Sequence, residues 1–358
     1  MGAKPAYKVA IVGCGRIAGS IDDEMPAGHP SLPYCHAGGY AAVEATTVIA
    51  AADIDGARRK ILCKRWEVPR AYDDYREMIE QERPDIVSIC TGQKLHAPIA
   101  IFAAEHGVKG IYCEKAMCSS MAEADAMIAA VEQNGVAFNT GVLRRFTGHF
   151  MMARRMIAEG ELGDIKWVQF TGNDLLMHGY SHAYDAICYL IADPPAKWIA
   201  GQLAPYSGIS TPPLVFSYDS TTNQFDRDPA GFWATIAFEG GVMGQAANTN
   251  GMPMYEWQIV GTEGILHFRD YGEGVIWRKG SGYEKTEAPF PEYSRRSATV
   301  GLIENLVVGM ETGQPTTANV RVSAAVTELC LANAQSHIDG AVPVSLPLEN
   351  RSLYIPSH

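Results

Sequence analysis

The N-terminal part of the chain alternates short apolar runs with amphipathic segments. Few polar residues interrupt the four runs YKVAIVGCG, TTVIAAADID, RPDIVSICTG and VKGIYCEK. Segments with helical periodicity, such as DYREMIEQE and HAPIAIFAAEHG, separate these runs. Continuously apolar strands spaced by helices are typical of a parallel sheet that is covered on both faces. The pattern therefore predicts a doubly wound α/β domain over residues 1–142.

The C-terminal part follows a different pattern. Apolar and polar residues alternate in longer segments such as DIKWVQFTGND, GFWATIAFEGGVMGQAANT and YEWQIVGTEGILHFRD. Alternation between glycine-containing turns predicts a mostly antiparallel sheet with one covered face, joined by helices in HAYDAICYLI and NVRVSAAVTELCLANAQSHIDG. Because no Ser-rich or charged linker intervenes, we expect an α+β domain over residues 143–358 that packs tightly against the first and leaves a ligand cleft.

Composition and charge narrow the classes of partner. The 358 residues are 47% hydrophobic and 19% charged, and the formal net charge of −11 argues against a nucleic-acid surface. No N-terminal segment resembles a signal peptide, and no apolar run reaches the roughly 18 residues of a membrane span. The eight cysteines occur singly, without a CxxC pair. We expect a cytoplasmic protein with reduced thiols that binds a small molecule rather than nucleic acid or a membrane.

The first predicted strand ends in a glycine-rich turn. Gly13, Gly15 and Ala18 match the pattern G-x-G-x-x-G/A, with Arg16 and Ile17 between the last two. We expect Gly13, Gly15, Arg16 and Ile17 to contact the cofactor. In this motif the first glycine allows a tight turn, the second lets the backbone approach a pyrophosphate, and the small third residue lets helix and sheet pack closely. A purely structural turn is the alternative, but an acidic residue that ends the next strand favours dinucleotide binding.

Asp53 is that acidic residue. A carboxylate at the end of the second strand can hydrogen-bond a ribose 2′-hydroxyl, which favours NAD over NADP. Asp53 follows Gly15 by 38 residues, more than the usual spacing of about 20. Residues 20–40, rich in Gly, Pro and His, are interpreted as an inserted loop that explains the delay. A solvated carboxylate in a turn is the alternative.

Glu114 and Lys115 are opposite charges just past the end of a predicted strand, where ligands gather in such sheets. Burial and a positive nicotinamide ring can lower the pKa of a lysine there, so that it exchanges a proton with a substrate hydroxyl. Glu114 then orients groups near the cofactor. A solvated ion pair that caps the strand is the alternative.

His178, His182 and Asp185 fall at i, i+4 and i+7, which places them on one face of a helix. Histidine suits acid–base chemistry near neutral pH, and Asp185 can hold His182 in one tautomer. Ordinary hydrogen-bonded histidines and a metal site are the alternatives. The HExxH motif is not present, so we predict no metal.

Arg144, Arg145 and His149 follow the change of pattern between the two domains. These side chains can bind the hydroxyls, carboxylate or phosphate of a substrate. A solvated basic turn is an equal alternative on the sequence alone.

Together these segments resemble the Gfo/Idh/MocA oxidoreductases, which are sugar and cyclitol dehydrogenases with a Rossmann domain and an open-faced sheet domain. The resemblance runs almost from end to end and is carried by AIVGCGRIAG, DIVSICTGQKLHAPIAIFAAEHGVKGIYCEKAM, RRFTGHFMMARRMIAEGELGDI and SHAYDAICYLI. It implies an NAD-dependent enzyme that acts on CH–OH groups of sugars or cyclitols such as inositol. It also implies a homodimer or homotetramer.

The family's E-K-P signature falls on Glu114, Lys115 and Ala116, which implies that Lys115 is a catalytic lysine beside the nicotinamide. The family's active-site histidine, in a helix of H-x-x-D type, falls on His182, with Asp185 following. Ala116 replaces the signature proline, so the peptide at Lys115 is expected to be held differently.

The stretch TGQKLHAPIA matches the family's cofactor loop, which implies that Thr91, Gln93 and His96 lie along the NAD site. In many sugar dehydrogenases of the family an aspartate stands four residues before the active-site histidine, and His178 stands there in this chain. The change implies that His178 and His182 share the acid–base work and bind the substrate together with Lys115.

The expected reaction is hydride transfer between a hydroxyl carbon of a sugar, glycoside or cyclitol and nicotinamide, while His182, assisted by Lys115, takes the hydroxyl proton. Two alternatives stay open. One is a redox-neutral glycoside hydrolase or lyase that works through a transient 3-keto sugar. The other is an NAD-binding sensor without catalytic activity.

Overall fold

A computed structural model describes residues 6–204, 215–249, 254–270, 273–282 and 284–357. The chain divides into two compact units. The first contains Met1–Cys118, Ala122–Thr147 and Arg295–Ala324, and the second contains Ser119–Met121, Gly148–Ser294 and Ala325–His358. The expectation from the sequence was of two consecutive segments, 1–142 and 143–358. In the structure, residues 295–324 return to the first unit because their helix packs into its core.

The helices are α1 (Arg16–Gly19), α2 (His36–Ala42), α3 (Gly56–Trp66), α4 (Tyr75–Glu82), α5 (His96–Glu105), α6 (Met121–Gln133), α7 (Gly148–Ala158), α8 (Ser181–Leu190), α9 (Ala298–Thr312) and α10 (Val320–Ile338). The strands are β1 (Tyr7–Val12), β2 (Thr46–Ala52), β3 (Arg70–Tyr72), β4 (Ile86–Ile89), β5 (Gly110–Cys113), β6 (Ala137–Thr140), β7 (Ile165–Gly172), β8 (Ala196–Leu203), β9 (Tyr218–Asp219), β10 (Gln224–Phe225), β11 (Gly231–Phe238), β12 (Met243–Ala247), β13 (Tyr255–Gly261), β14 (Gly264–Arg269), β15 (Gly274–Lys279), β16 (Lys285–Pro289) and β17 (Val344–Ser345). No described helix combines the length and the apolar character needed to cross a membrane.

The first unit contains a six-stranded parallel sheet in the order β3-β2-β1-β4-β5-β6. This order reverses direction between β1 and β4, which is the point where doubly wound sheets bind ligands. The prediction of such a domain is confirmed. The interpretation of residues 20–40 as a loop is wrong in part, because the segment contains a 3-10 turn at Ile21–Glu24 and begins α2 at His36.

Helix α9 supplies part of the core of the first unit. Leu302, Ile303 and Leu306 are fully buried and belong to one cluster with Val9 of β1 and Tyr112 of β5. The hydrophobic face of α9 is thus a covering layer for the parallel sheet. Its position in the chain, far from the sheet, is why the domain could not be delimited from sequence patterns.

The second unit contains a nine-stranded sheet in the order β16-β15-β14-β13-β7-β12-β11-β8-β17. All neighbours are antiparallel except β7 and β12. On one face Phe170, Trp257 and Ile259 are buried, whereas Gln169 and Gln258 on the other face are half-buried. This alternation confirms the predicted open-faced, mostly antiparallel sheet.

We expect Leu306→Ala to lower the free energy of unfolding by about 2–5 kcal/mol, because it removes fully buried methyl groups and leaves a cavity. Val308→Ala on the same helix is the matched control. Val308 is 52% exposed, so its loss should cost no more than about 0.5 kcal/mol. Urea unfolding measures both, and equal effects would contradict the assignment of α9 to this core.

Candidate active site

The glycine turn after β1 is shaped by close backbone contact. Gly13 has φ of 90°, and a Cβ added to it would lie 2.8 Å from the carbonyl carbon and oxygen of Cys90. Gly15 has φ of −81°, and a Cβ there would meet no atom within 4 Å. Gly13 is therefore required by the fold, whereas Gly15 borders open space that a ligand can approach.

Asp53 holds this turn in place. Its Oδ2 accepts a hydrogen bond from the Cys14 amide at 2.7 Å, and its Oδ1 accepts one from the Asp55 amide at 2.9 Å. The carboxylate thus joins the end of β2 to the glycine turn after β1. Each oxygen keeps a further lone pair that can accept a hydrogen bond from a ligand. The structural role of Asp53 depends on the pairing of β1 with β2 and was not foreseen.

A cavity of about 250 Å³ lies at the carboxyl ends of β1, β2 and β4. Its lining includes four predicted cofactor residues, Gly13, Gly15, Asp53 and Thr91. The Thr91 hydroxyl is buried and has no hydrogen-bond partner in the described part of the chain. These features fit a dinucleotide: Gly15 leaves space for a close approach to the backbone, Asp53 can accept a hydrogen bond, and the Thr91 hydroxyl can form one. Further lining residues that the sequence did not indicate are Arg58, Asp73, Tyr75, Leu95 and Ile99.

Arg16 and Ile17 lie outside the lining of this cavity. Arg16 is exposed, and its Nη2 donates to Glu24 Oε2 at 2.6 Å. Ile17 is half-buried and packs against the apolar cluster around Leu62. The structure thus gives both side chains contacts within the first unit, and their role toward the cofactor stays a prediction.

His96 and Gln93 connect two loops of the first unit. The ring nitrogens of buried His96 lie 2.9 Å from the Ala116 carbonyl oxygen and 3.0 Å from that of Thr91. Burial lowers the pKa of His96, which favours the neutral ring with a single donor. The Gln93 amide donates to the Cys118 carbonyl. Both residues therefore support the segment that follows β5.

Lys115 lies in that segment, directly after β5, and is half-buried. The peptide bond between Lys115 and Ala116 is cis, in the place of the family's proline. Glu114 is buried, and its Oε2 accepts a hydrogen bond from the Lys115 amide at 3.3 Å. The carboxylate is thus turned toward the protein interior and holds the backbone of Lys115.

His36 is the partner of Glu114 that the sequence did not reveal. Its Nε2 lies 3.0 Å from Glu114 Oε1, and the ring is fully buried. Burial by itself raises the pKa of Glu114, but the hydrogen bond from His36 and the charges of His36 and Lys115 outweigh it and hold that pKa below its usual value. Glu114 is therefore ionised at neutral pH.

In the second unit, His178 is exposed, His182 is half-buried and Asp185 is buried. The expectation of one continuous helix through all three is wrong, because His178 lies in a π-helical turn, Leu176–Tyr180, and α8 begins at Ser181. Buried Asp228 accepts hydrogen bonds from the amides of Met177 at 2.8 Å and His178 at 2.9 Å. Asp228 thus stabilises the turn that presents His178.

Arg145 and His149 belong to different units. Arg145 is 2% exposed, and its Nη1 donates to the Thr317 carbonyl at 3.3 Å. His149 is buried beside the rings of Phe150, Phe268 and Tyr293. A role of either residue in substrate binding stays a prediction. Among the described residues, no three His, Cys, Asp or Glu side chains are grouped to hold a metal ion.

Residues 7–142 match the family profile named Gfo/Idh/MocA and described as an oxidoreductase family with an NAD-binding Rossmann fold. This range includes β1–β6 and the cavity described above. Residues 7–142 of this chain are therefore similar to the NAD-binding domain of the Gfo/Idh/MocA oxidoreductases.

Relatives with curated names match part of this chain. Myo-inositol 2-dehydrogenase of Thermotoga maritima is 26% identical over 167 residues, which are 47% of this chain and 45% of the relative. Trans-1,2-dihydrobenzene-1,2-diol dehydrogenase of Bos taurus is 29% identical over 131 residues, 37% of this chain and 39% of the relative. The chain thus spans less than half the length of these relatives.

Solved structures extend the likeness of fold beyond the NAD-binding domain. A levoglucosan dehydrogenase in complex with NADH and L-sorbose has a TM-score of 0.75 at 18% identity, covering 96% of this chain and 100% of that one. The aldose-aldose oxidoreductase of Caulobacter crescentus, complexed with glycerol, has a TM-score of 0.75 at 18% identity, covering 95% and 100%. The whole chain therefore has the fold of these enzymes.

We expect Gly13→Ala to lower stability and Gly15→Ala to leave it nearly unchanged. A side chain at Gly13 must adopt positive φ and displace the Cys90 backbone, at a cost of about 1–3 kcal/mol or more. Gly15→Ala should change stability by no more than about 0.5 kcal/mol yet weaken NAD binding about tenfold, since its methyl group occupies the space that a pyrophosphate approaches. Thermal unfolding and calorimetric NAD titration check both, and unchanged NAD affinity in Gly15→Ala would contradict the site.

Proposed function

We propose that this protein is an NAD-dependent oxidoreductase that transfers a hydride between a hydroxyl carbon of a sugar, glycoside or cyclitol and nicotinamide. The observation that carries the proposal is the arrangement at the carboxyl edge of the parallel sheet. A dinucleotide cavity borders Gly15, Asp53 and Thr91, and Lys115 follows a neighbouring strand on a backbone held by Glu114. The dinucleotide cavity and Lys115 thus lie in the same unit, at ends of strands of the same sheet, and hydride transfer requires cofactor and reacting groups to be held in a fixed geometry.

The chemistry of Lys115 follows from its neighbour. The ionised Glu114 favours the charged form of Lys115, while a bound nicotinamide ring, which accepts or supplies the hydride, acts in the opposite direction. As an ammonium group, Lys115 stabilises the negative charge that develops on the substrate oxygen. His182 accepts the hydroxyl proton, since histidine titrates near neutral pH, and Asp185 and His178 orient it or share the proton.

The proposed substrate class rests on the relatives and on the fold. Myo-inositol 2-dehydrogenase and D-apiose dehydrogenase are named for polyhydroxylated substrates, and the levoglucosan dehydrogenase structure contains L-sorbose. We assign Arg145 and His149 to substrate binding because such side chains can bind the hydroxyls, carboxylate or phosphate of a substrate. Asp53 supports NAD over NADP, because its carboxylate would repel a 2′-phosphate at the ribose position.

We also propose that the protein forms a homodimer or homotetramer through the open face of the second sheet. The described strands of this face present half-buried Trp167, Gln169, Gln258 and Trp277. Large aromatic side chains beside amides are typical of surfaces that associate. The second domain would then serve both substrate binding and oligomerisation.

The proposed activity is tested by absorbance at 340 nm with NAD or NADP and a panel of free sugars, inositols and glucosides. Released sugar and aglycone are assayed in the same wells. We expect steady formation of NADH, with NAD preferred, on one class of polyol. Glycoside cleavage without net NADH would instead establish the redox-neutral reaction, and NAD binding without either product would establish a sensor.

We expect Lys115→Met and His182→Asn each to lower kcat by about 10²–10⁴-fold, because the first removes the charge that stabilises the substrate oxygen and the second removes the group that accepts the hydroxyl proton. The NAD dissociation constant should stay close to that of the parent protein, since neither side chain lines the dinucleotide cavity. Lys60→Met, which removes an exposed lysine of α3, is the control and should keep full activity. Full activity in both site variants would overturn the assignment.

A further inference from the structure

A chain of buried polar groups lies beneath Lys115. His36, the first residue of α2, has its Nδ1 2.7 Å from the Ser88 hydroxyl of β4 and its Nε2 3.0 Å from Glu114 Oε1. The ring also stacks on Tyr112 of β5, with 3.9 Å between ring centroids and 17° between planes. His36 and Ser88 are fully buried and Glu114 is 8% exposed. Side chains of β4, of β5 and of the residue directly after β5 therefore fix one imidazole ring.

The hydrogen-bonding capacity of a carboxylate assigns the direction of the bond between His36 and Glu114. An ionised carboxylate can only accept, so Nε2 of His36 carries the proton that it donates to Glu114. Nδ1 lies within hydrogen-bond distance of the Ser88 hydroxyl, so both ring nitrogens have a polar partner. A chain of this kind is stable in a buried site because each buried ring nitrogen has a hydrogen-bond partner.

Glu114 has little freedom to leave this arrangement. Its Oε1 is held by His36 and its Oε2 by the Lys115 amide. On a third side lies Gly141, where an added Cβ would come within 2.4 Å of Oε1. The carboxylate is thus enclosed by groups that act on its position and on its charge.

We propose that His36 is a positioning residue for Lys115, acting through Glu114. By donating its Nε2 proton it keeps the carboxylate in place and ionised, and the carboxylate in turn fixes the backbone and the charge of Lys115. This inference rests on the proposed function insofar as Lys115 is taken to act on substrate. The physical link from His36 to Lys115 is independent of any substrate.

Glu114 is the ionised acid among the buried groups around it. The charged or ionisable groups around it are His36 of α2, His96 of α5, Lys115, Cys90, Tyr112 and Cys113. Burial first, and the Glu114 charge second, raise the pKa of both thiols and of the phenol far above their usual values, so these three are neutral. Without the hydrogen bond from His36, burial would dominate at Glu114 and its pKa would rise, so the carboxylate would take up a proton at a higher pH.

Asparagine and glutamine at position 36 form a matched pair. Glutamine can place its amide where Nε2 stands and still donate to Glu114, whereas asparagine reaches only the position of Nδ1 and contacts Ser88 alone. Both side chains are polar and fit the volume of histidine. Thr46→Val is the control for loss of a buried hydrogen bond in the same unit, since Thr46 bonds the Tyr40 and Val43 carbonyls away from Glu114.

The experiment is competitive acetylation of the full-length protein by acetic anhydride at pH 7, with the rate at Lys115 measured by mass spectrometry relative to exposed Lys60. Only the neutral amine reacts. We expect Lys115 to react about tenfold faster in Glu114→Gln, because a neighbouring negative charge worth about one pKa unit is lost. In His36→Asn we expect Lys115 to react faster than in the parent protein, because the carboxylate is no longer held beside Lys115. His36→Gln and Thr46→Val should react as the parent protein does.

The proposal is overturned if Lys115 in a folded His36→Asn variant is acetylated at the rate of the parent protein. If that variant does not fold, the same result in Glu114→Gln overturns it. If the parent protein turns over a polyol, His36→Asn should also lower kcat with little change in the KM for NAD, and His36→Gln should restore it. A parent protein that turns over nothing defeats the proposed function, while the acetylation rates still decide the link from His36 to Lys115.

Discussion

The burial of Glu114 is the interaction on which the site at the edge of the parallel sheet depends. A carboxylate removed from water costs several kcal/mol unless hydrogen bonds and opposite charge compensate. Here the compensation comes from the His36 ring and the Lys115 amide. Each of these belongs to a different part of the first unit, so the carboxylate also holds those parts in register.

The topology of the sheet brings these parts together. With the order β3-β2-β1-β4-β5-β6, the ends of β1, β4 and β5 are neighbours, although long segments separate them in the chain. The same edge receives Asp53 from β2, which anchors the glycine turn through the Cys14 amide. Two buried or half-buried carboxylates thus organise the loops on the two sides of the switch point, one at the dinucleotide cavity and one behind Lys115.

The second unit uses a carboxylate in a similar way. Asp228 binds two successive backbone amides of the π-helical turn before α8 and thereby orients the segment that carries His178. Because His178 lies in this π-helical turn and His182 in α8, the two side chains are not spaced as they would be in a regular α-helix. In each case an acidic side chain satisfies backbone donors that irregular structure would otherwise leave without partners.

The sequence by itself determined the two kinds of sheet, the glycine turn, Asp53 and the candidate residues Lys115 and His182, because these depend on local periodicity and on short motifs. It could not reveal that α9 completes the first core, that residues 36–42 are helical, or that His178 lies in a π-helical turn. It also did not connect His36 with Glu114, which are 78 positions apart. Such relations are decided only when strands pair and remote side chains become neighbours, since a hydrogen bond depends on distance in space and not along the chain.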